Sequence, residues 1–98
     1  MTASTPTPRP RLVVDLAAAQ QNYRTLAARR PGAEIAAVVK ADCYGLGVER
    51  LAPALHDAGC RTFFVAYTFE GVALRALLGE RAAAICVFNG PTADDVDA

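Results

Sequence analysis

The stretch Ala37-Val38-Val39-Lys40-Ala41-Asp42-Cys43-Tyr44-Gly45-Leu46-Gly47 decides how the rest of the chain is interpreted. It is a short apolar run that ends on a lysine and is followed at once by a turn with two glycines. An apolar run of this length, rich in branched residues and bounded by glycine, is typical of a buried parallel strand. The pattern predicts that Lys40 lies at the carboxyl end of a strand, where α/β folds bind their ligands.

Two roles are compatible with a lysine at that place. It can be a cation at the rim of a sheet, solvated by its own flexible stem. It can also be a partly desolvated amine that attacks the aldehyde of a cofactor such as pyridoxal phosphate and forms a Schiff base. The residue type of Lys40 alone does not choose between these roles.

Residues 37–47 resemble the pyridoxal-phosphate attachment motif of the alanine racemase family, whose usual form is AVVKA[ND]AYGHG. Nine of the eleven positions match, with lysine, tyrosine and both glycines at the family spacing. The departures are Cys43, where the family usually has alanine, and Leu46, where it commonly has histidine. The similarity extends from Arg11 to Pro91 and favours the Schiff-base role of Lys40.

The resemblance assigns roles to two side chains of the motif. It implies that Lys40 binds pyridoxal phosphate and acts as one acid/base for the Cα proton of the substrate. It also implies that the hydroxyl of Tyr44 hydrogen-bonds the cofactor phosphate; the alternative is an aromatic ring that packs over the strand end. Asp42 is expected to cap the turn or orient a neighbour. Leu46 cannot form the hydrogen bonds of a histidine, which affects the fine positioning of the site more than the attachment chemistry.

Racemisation needs a second acid/base on the opposite face of the substrate. In the family this group is a tyrosine from the carboxyl-terminal domain of the partner subunit, so the resemblance implies a homodimer in the full-length protein. Tyr67 does not match that tyrosine and is interpreted as an aromatic residue at the rim of the sheet.

The activity implied by the resemblance is the interconversion of L-alanine and D-alanine, which supplies D-alanine for cell-wall peptidoglycan. One alternative is a racemase of another amino acid on the same scaffold. A second is a non-catalytic pyridoxal-phosphate-binding protein of related barrel fold, although such proteins usually lack the Tyr-Gly-x-Gly continuation found at residues 44–47.

Composition and charge argue against several other classes of function. The 98 residues are 53% hydrophobic and 20% charged, as in one globular segment. The net charge is zero, so no electrostatic case for a nucleic acid or an anionic membrane exists, and no apolar run is long enough to cross a bilayer. Three unpaired cysteines suit a reducing cytoplasm. Cys43, His56 and Cys60 lack a fourth ligand, so we expect no metal site.

The order of predicted elements indicates the fold. Residues 1–10 are expected to form a disordered leader, and residues 11–98 an incomplete β/α barrel domain. Strands are predicted at 11–15, 34–41, 61–66 and 83–88, and helices at 16–29, 48–58 and 68–79. A further helix is expected to start near Thr92 and Asp95, after the turn Asn89-Gly90-Pro91.

Side-chain spacing also predicts which residues face the core. Ala36, Val38 and Lys40 are expected on one face of their strand, in the barrel interior. Residues expected to pack inward are Leu16, Ala19, Tyr23 and Leu26 of the first helix and Val72, Leu74, Leu77 and Leu78 of the third. Thr68 is expected to cap the third helix, and Pro53 to delay or kink the second.

Four strand-helix units correspond to about half of a (β/α)8 TIM-type barrel, whose usual length is about 250 residues. We therefore expect the chain to be the amino-terminal part of a larger protein, or half of a split one. No position in it matches the second acid/base of the family, so the 98-residue chain alone is expected to be inactive.

Overall fold

The computed structural model describes residues 13–89. Three strands and four helical segments follow one another in the chain: α1 (Leu16–Arg29), β1 (Ala37–Val38), α2 (Lys40–Tyr44), α3 (Val48–Asp57), β2 (Thr62–Val65), α4 (Thr68–Leu78) and β3 (Ala84–Val87). Strand and helix alternate, which is the pattern of an α/β fold with a parallel sheet.

The strands form one parallel sheet in the order β1-β2-β3. Val38 of β1 lies opposite Phe64 of β2, which in turn lies opposite Cys86 of β3. The connection from β1 to β2 contains α3, and the connection from β2 to β3 is α4. Since parallel strands need such crossovers, each neighbouring strand pair and its helix form a βαβ unit.

The hydrophobic core lies between one face of the sheet and helices α3 and α4. Val39, Phe63 and Val65 point to this face and are almost completely buried. They are covered by Leu51 of α3 and by Leu74 of α4, which belong to the same cluster. Burial of apolar side chains in this layer is the main force that holds the βαβ units together.

The predicted bounds of helix α1 are confirmed, and the carboxylate of Asp15 caps it by accepting a hydrogen bond from the Ala18 amide at 3.0 Å. The helix packs beside α3, where the side-chain amide of the partly buried Gln20 donates to the carbonyl of Ala54 at 2.8 Å. The expectation that Leu26 packs inward is wrong, since Leu26 is half exposed. Contact with another helix in place of the sheet explains the difference.

The second face of the sheet carries Val38, Phe64, Cys86 and Phe88. Within residues 13–89 no helix covers this face, and Val38 and Phe88 are about half exposed. In a complete β/α barrel the corresponding face lines the interior. The face on which Lys40 was expected is therefore the one that the helices leave open.

The predicted first strand is not formed by the residues that the structure describes. Val13, Val14 and Asp15 have no strand conformation, and Arg11 and Leu12 lie outside the described residues. Val14 packs against the core and Asp15 caps α1, so the end of this segment serves as the entry to the helix. The second strand is shortened from 34–41 to Ala37–Val38, because the backbone turns at Lys40.

The other predicted elements are confirmed to within two residues, with three differences in detail. Helix α4 is capped by Tyr67 and not by Thr68, which is its first residue. Val72 is half exposed, and the buried positions of α4 are Gly71, Leu74 and Leu78. Helix α3 continues through Pro53. The leader, the turn after Asn89 and the helix start near Thr92 lie outside the described residues.

Between Val13 and Asn89 no helix has the length and apolar character needed to span a membrane.

Gly71 gives a test of the packing between α4 and the sheet. A Cβ atom at Gly71 would lie 3.5 Å from a methyl of Ile85, 3.6 Å from one of Val65 and 3.7 Å from one of Val87, all ordinary contacts. Because glycine inside a helix is about 0.5–1 kcal/mol less stable than alanine, Gly71→Ala should raise the free energy of unfolding by about that amount. The matched control is Gly79→Ala, which should lower it, since Gly79 has a φ of +62°. Urea unfolding of the full-length protein measures both; a destabilised Gly71→Ala variant would contradict the packing described.

Candidate functional site

Lys40 lies at the carboxyl end of β1, as the sequence predicts. The backbone N–H of Val39 donates to the carbonyl of Phe64 at 2.9 Å, which extends the ladder one residue beyond β1. Lys40 follows and begins α2. Its side chain is partly buried, so the amine sits at the edge of the sheet where parallel folds place their ligands.

The amine of Lys40 points to the open face of the sheet. Its Nζ lies 5.7 Å from the ring centroid of Phe88, and that ring stacks on Phe64 with 5.1 Å between centroids. An ammonium group at this distance from an aromatic face is attracted by the ring quadrupole. The two rings also shield one side of the amine from water.

The segment after Lys40 has an unusual backbone. Ala41, Asp42, Cys43 and Tyr44 have φ angles of +51°, +55°, +57° and +57°, so α2 is a left-handed turn. For residues other than glycine this conformation costs about 1–2 kcal/mol each, and aspartate is the only one of the four that adopts it with some ease. Such strain persists only where the surroundings impose it, and it is concentrated at functional sites.

Backbone hydrogen bonds close the left-handed turn. The N–H of Gly45 donates to the carbonyls of Ala41 and Asp42, at 3.3 and 3.2 Å, and the N–H of Gly47 donates to the carbonyl of Asp42 at 3.0 Å. Gly45 and Gly47 have φ of +86° and +97°, a region that side chains rarely adopt. The two motif glycines therefore carry the chain out of the turn and into α3.

Two carboxylates, one within the turn and one outside it, hold the turn in place. Oδ1 of Asp42 accepts a hydrogen bond from the N–H of Val48, the first residue of α3, at 2.8 Å. Oε2 of Glu70, in the first turn of α4, accepts one from the N–H of Ala41 at 2.7 Å. Asp42 thus has the capping role expected for it. The contact made by Glu70 joins parts of the chain that are 29 residues apart.

Two titratable groups at the turn have shifted pKa values. Burial acts to raise the pKa of Glu70, but the N–H groups of Ala41, Tyr67 and Ala66 and the charge of Lys40 outweigh it, and the pKa lies below its usual value. Burial, and secondarily the charge of Asp42, raises the pKa of the Cys43 thiol to about 11. Glu70 is therefore an anion at neutral pH, and Cys43 is a protonated, buried thiol that packs as a small apolar residue.

The aromatic residues near the turn are exposed. Tyr44, the last residue of α2, has 69% of its surface accessible, which does not fit an aromatic ring packed over the strand end. Tyr67 lies at the end of β2 and stacks on Phe69 with 5.8 Å between centroids, at the rim where it was expected. Leu46 is nearly half exposed and contributes no polar atom.

Two of the three residues considered as metal ligands have other partners. Nε2 of His56 lies 2.9 Å from the carbonyl of Ala82, and Sγ of Cys60 lies 3.3 Å from the carbonyl of Thr62. Cys43 is buried beneath the turn. In the part of the chain that the structure describes, no group of three potential metal ligands is found.

A cleft of about 390 Å³ opens on the helix-covered side of the sheet, between α3 and α4. Its walls include Val39, Leu74 and Leu77, and Glu49 and Glu70 lie at its edge. Neither Lys40 nor Tyr44 lines it. The cleft is apolar and separate from the lysine amine, so it is not the candidate site.

Sequence reasoning missed two features of the site. The contact between Glu70 and Ala41 is not predictable from the sequence, because a hydrogen bond to a residue 29 positions away leaves no local signal. Phe88 was placed only at a strand end, although the alternation of β3 puts it on the same face as Lys40. The sequence also singles out Lys40 in another way, because it is the only lysine of the chain.

Comparisons with known proteins show which family the chain resembles. The family model described as alanine racemase, N-terminal domain, matches residues 14–98. The chain is 56% identical over 80 residues to an alanine racemase of Methylobacterium nodulans, covering 82% of this chain and 21% of that protein. It is 52% identical over 79 residues to one of Brucella ovis, covering 81% and 20%.

Solved structures show the same relationship. An alanine racemase from Bartonella henselae with covalently bound pyridoxal phosphate superposes with a TM-score of 0.78 at 46% identity, over 86% of this chain and 23% of that one. An alanine racemase from Corynebacterium glutamicum superposes with a TM-score of 0.70 at 30% identity, over 86% and 25%. The chain thus spans about a fifth to a quarter of the proteins it matches, and the barrel fold expected from its βα units agrees with these neighbours. On the match over residues 14–98, the chain belongs to the family of alanine racemase N-terminal domains.

Proposed function

We propose that the protein is an alanine racemase, in which these residues form the part that binds pyridoxal phosphate. The observation that carries the proposal is the position of Lys40: the amine lies at the carboxyl edge of a parallel sheet, inside the attachment motif, beside a strained turn. The similarity to alanine racemases over more than four-fifths of the chain supports it. The product, D-alanine, would serve cell-wall peptidoglycan.

The donor set of the site fits pyridoxal phosphate. The cofactor presents an aldehyde, a phosphate and an aromatic ring, and each has a matching group here. The amine of Lys40 can bond to the aldehyde. The hydroxyl of Tyr44, an exposed residue four positions after Lys40, can donate to the phosphate. The stacked rings of Phe64 and Phe88 provide an apolar wall beside the amine.

When bound, pyridoxal phosphate supplies the electron sink that makes the Cα proton of an amino acid removable. Lys40 would have two roles. Its amine would hold the cofactor through the aldehyde. As a free amine, Nζ would serve as the acid/base that takes the proton from the substrate Cα on one face or returns it.

Racemisation also requires a proton donor on the opposite face of Cα, and we propose that this group is a tyrosine from another part of the full-length protein. Tyr67 is not that group, because its ring stacks on Phe69 at the rim of the sheet. By the same resemblance, the full-length enzyme would act as a homodimer. A cytoplasmic location is proposed from the three free thiols.

The first experiment tests the role of Lys40. Borohydride reduction of the full-length protein with bound pyridoxal phosphate, followed by tryptic mapping, should find the pyridoxyl group on the peptide spanning residues 30–50. That peptide should remain uncleaved at Lys40, the only lysine in these 98 residues. Lys40→Ala should abolish racemisation, because it removes both the tether and one acid/base. Lys40→Arg keeps the charge but cannot form the bond, and it should be equally inactive. A label elsewhere in the protein, with this peptide unmodified, would refute the assignment.

The second experiment tests Tyr44. Tyr44→Phe removes one hydroxyl and little apolar surface. The dissociation constant of pyridoxal phosphate should rise by the value of a hydrogen bond to a charged group, about 1.5–3 kcal/mol, or about 10- to 150-fold. Tyr67→Phe is the matched control, since it removes a hydroxyl from another exposed tyrosine at the same edge of the sheet, and it should leave the constant unchanged. Equal affinities for wild type and Tyr44→Phe would leave Tyr44 only a packing role.

A further inference from the structure

The carboxylate of Glu70 uses both of its oxygens. Oε1 accepts hydrogen bonds from the backbone N–H groups of Ala66 and Tyr67, at 2.9 and 3.0 Å. Oε2 accepts the N–H of Ala41 at 2.7 Å. One side chain therefore connects the end of β2, the start of α4 and the first residue of the left-handed turn.

Capping of α4 explains the hydrogen bonds to Oε1 of Glu70 but not the one to Oε2. A glutamate at the third position of a helix commonly accepts the N–H of the N-cap residue, as Glu70 does from Tyr67. In return, the N–H of Glu70 donates to the backbone carbonyl of Tyr67 at 3.1 Å. Oε1 alone serves the helix, and Oε2 is directed to another part of the chain. The second contact needs an explanation beyond helix stability.

The group held by Oε2 is the peptide that joins Lys40 to Ala41. Fixing the N–H of Ala41 fixes the plane of that peptide, and with it the direction in which the chain leaves Lys40. Hydrogen bonds to a carboxylate are shorter and stronger than those between neutral groups, in agreement with the 2.7 Å distance. Glu70 thus acts at the residue that the proposed mechanism requires to be placed most accurately.

The strain of the turn makes such a contact necessary. Ala41 is the first of four residues with left-handed backbone, and its N–H is paired with Glu70. The far end of the turn is held independently by Asp42 and the N–H of Val48. Without Glu70 the near end, next to Lys40, would be free to return toward an unstrained conformation.

We propose that Glu70 is a positioning residue for the cofactor lysine: through the Ala41 N–H it holds the left-handed turn, and so places the Lys40 amine and the Tyr44 hydroxyl relative to one another. The proposal rests on the proposed function of Lys40. It assigns Glu70 no contact with substrate or cofactor.

Glu70→Gln separates positioning from capping. Glutamine has one acceptor oxygen, and its amide nitrogen is a donor, so it cannot accept from both sides. If the glutamine oxygen faces Ala66 and Tyr67, it keeps the two hydrogen bonds that cap α4. The amide nitrogen then faces the N–H of Ala41, and two donors cannot form a hydrogen bond with each other. Since two bonds outweigh one, we expect the cap to survive and the contact with Ala41 to be lost.

Glu49→Gln is the matched control. Glu49 lies in the first turn of α3, as Glu70 lies in that of α4, and both border the same cleft. Between Val13 and Asn89 its carboxylate accepts no hydrogen bond from a backbone or side-chain donor. The two variants therefore remove equal charge from the first turn of a helix, and only Glu70→Gln removes a contact with the turn.

The experiment compares both variants in the full-length protein. For Glu70→Gln we expect the dissociation constant of pyridoxal phosphate, followed by its visible absorbance, to rise about tenfold or more. With cofactor and alanine saturating, kcat should fall by a similar factor while KM for alanine changes little, since the substrate contacts remain. Glu49→Gln should match the wild type in all three. Glu70→Asp, which keeps the charge but shortens the reach toward Ala41, should resemble Glu70→Gln.

A purely structural role predicts a different result. If Glu70 only capped α4, its variants would lower the unfolding temperature of the apoprotein, while cofactor affinity and kcat at saturation stayed at wild-type values; that result overturns the proposal. The borohydride map of the wild type distinguishes the two hypotheses. If Lys40 is labelled and Glu70→Gln behaves as Glu49→Gln does, the positioning role alone is refuted. If Lys40 is unlabelled, the proposed function fails and the positioning role fails with it.

Discussion

The left-handed backbone of residues 41–44 is the constraint on which the site depends. Four non-glycine residues at positive φ carry a cost of about 1–2 kcal/mol each. The carboxylate bonds from Asp42 and Glu70 are of the class worth about 1.5–3 kcal/mol each, so together with the glycine exit they offset a cost of the same order. The turn exists because the helices α3 and α4 supply its partners.

The two faces of the sheet have different roles. On one face Phe63 and Val65 are buried beneath α3 and α4, and this layer fixes the strands and the first turns of both helices. On the other face Phe64 and Phe88 stack beside the amine of Lys40. Since successive residues of a strand point to opposite faces, neighbouring positions of β2 serve stability and the site in turn. A substitution at an interior position of β2 therefore affects one of these functions much more than the other.

Much of the fold could be predicted, because the helices α1, α3 and α4 and the strands β2 and β3 follow from local periodicity and from glycine and cap signals. The strand predicted at 11–15 is not formed by the part of it that the structure describes, residues 13–15, because its last residue, Asp15, caps α1. The site was predicted as far as Lys40 and Tyr44 through the motif. The left-handed turn could not be predicted, since alanine, cysteine and tyrosine give no local indication of positive φ. Its hydrogen-bond partner Glu70 is also distant in sequence.

Glycine at every position of the turn would relieve the strain, but the motif has glycine only at Gly45 and Gly47. Glycine would remove the conformational cost, but it would also allow many other conformations, so the lysine amine and the tyrosine hydroxyl would lose their fixed relation. Residues other than glycine, when charged partners hold them in one strained conformation, have fewer alternative conformations. Under the proposed function the site binds one group through a covalent bond and a phosphate contact at once. Such a site gains from this rigidity, because the ordering is completed when the chain folds and does not oppose binding. Strain at the turn and precision at Lys40 are therefore two consequences of the same carboxylate contacts.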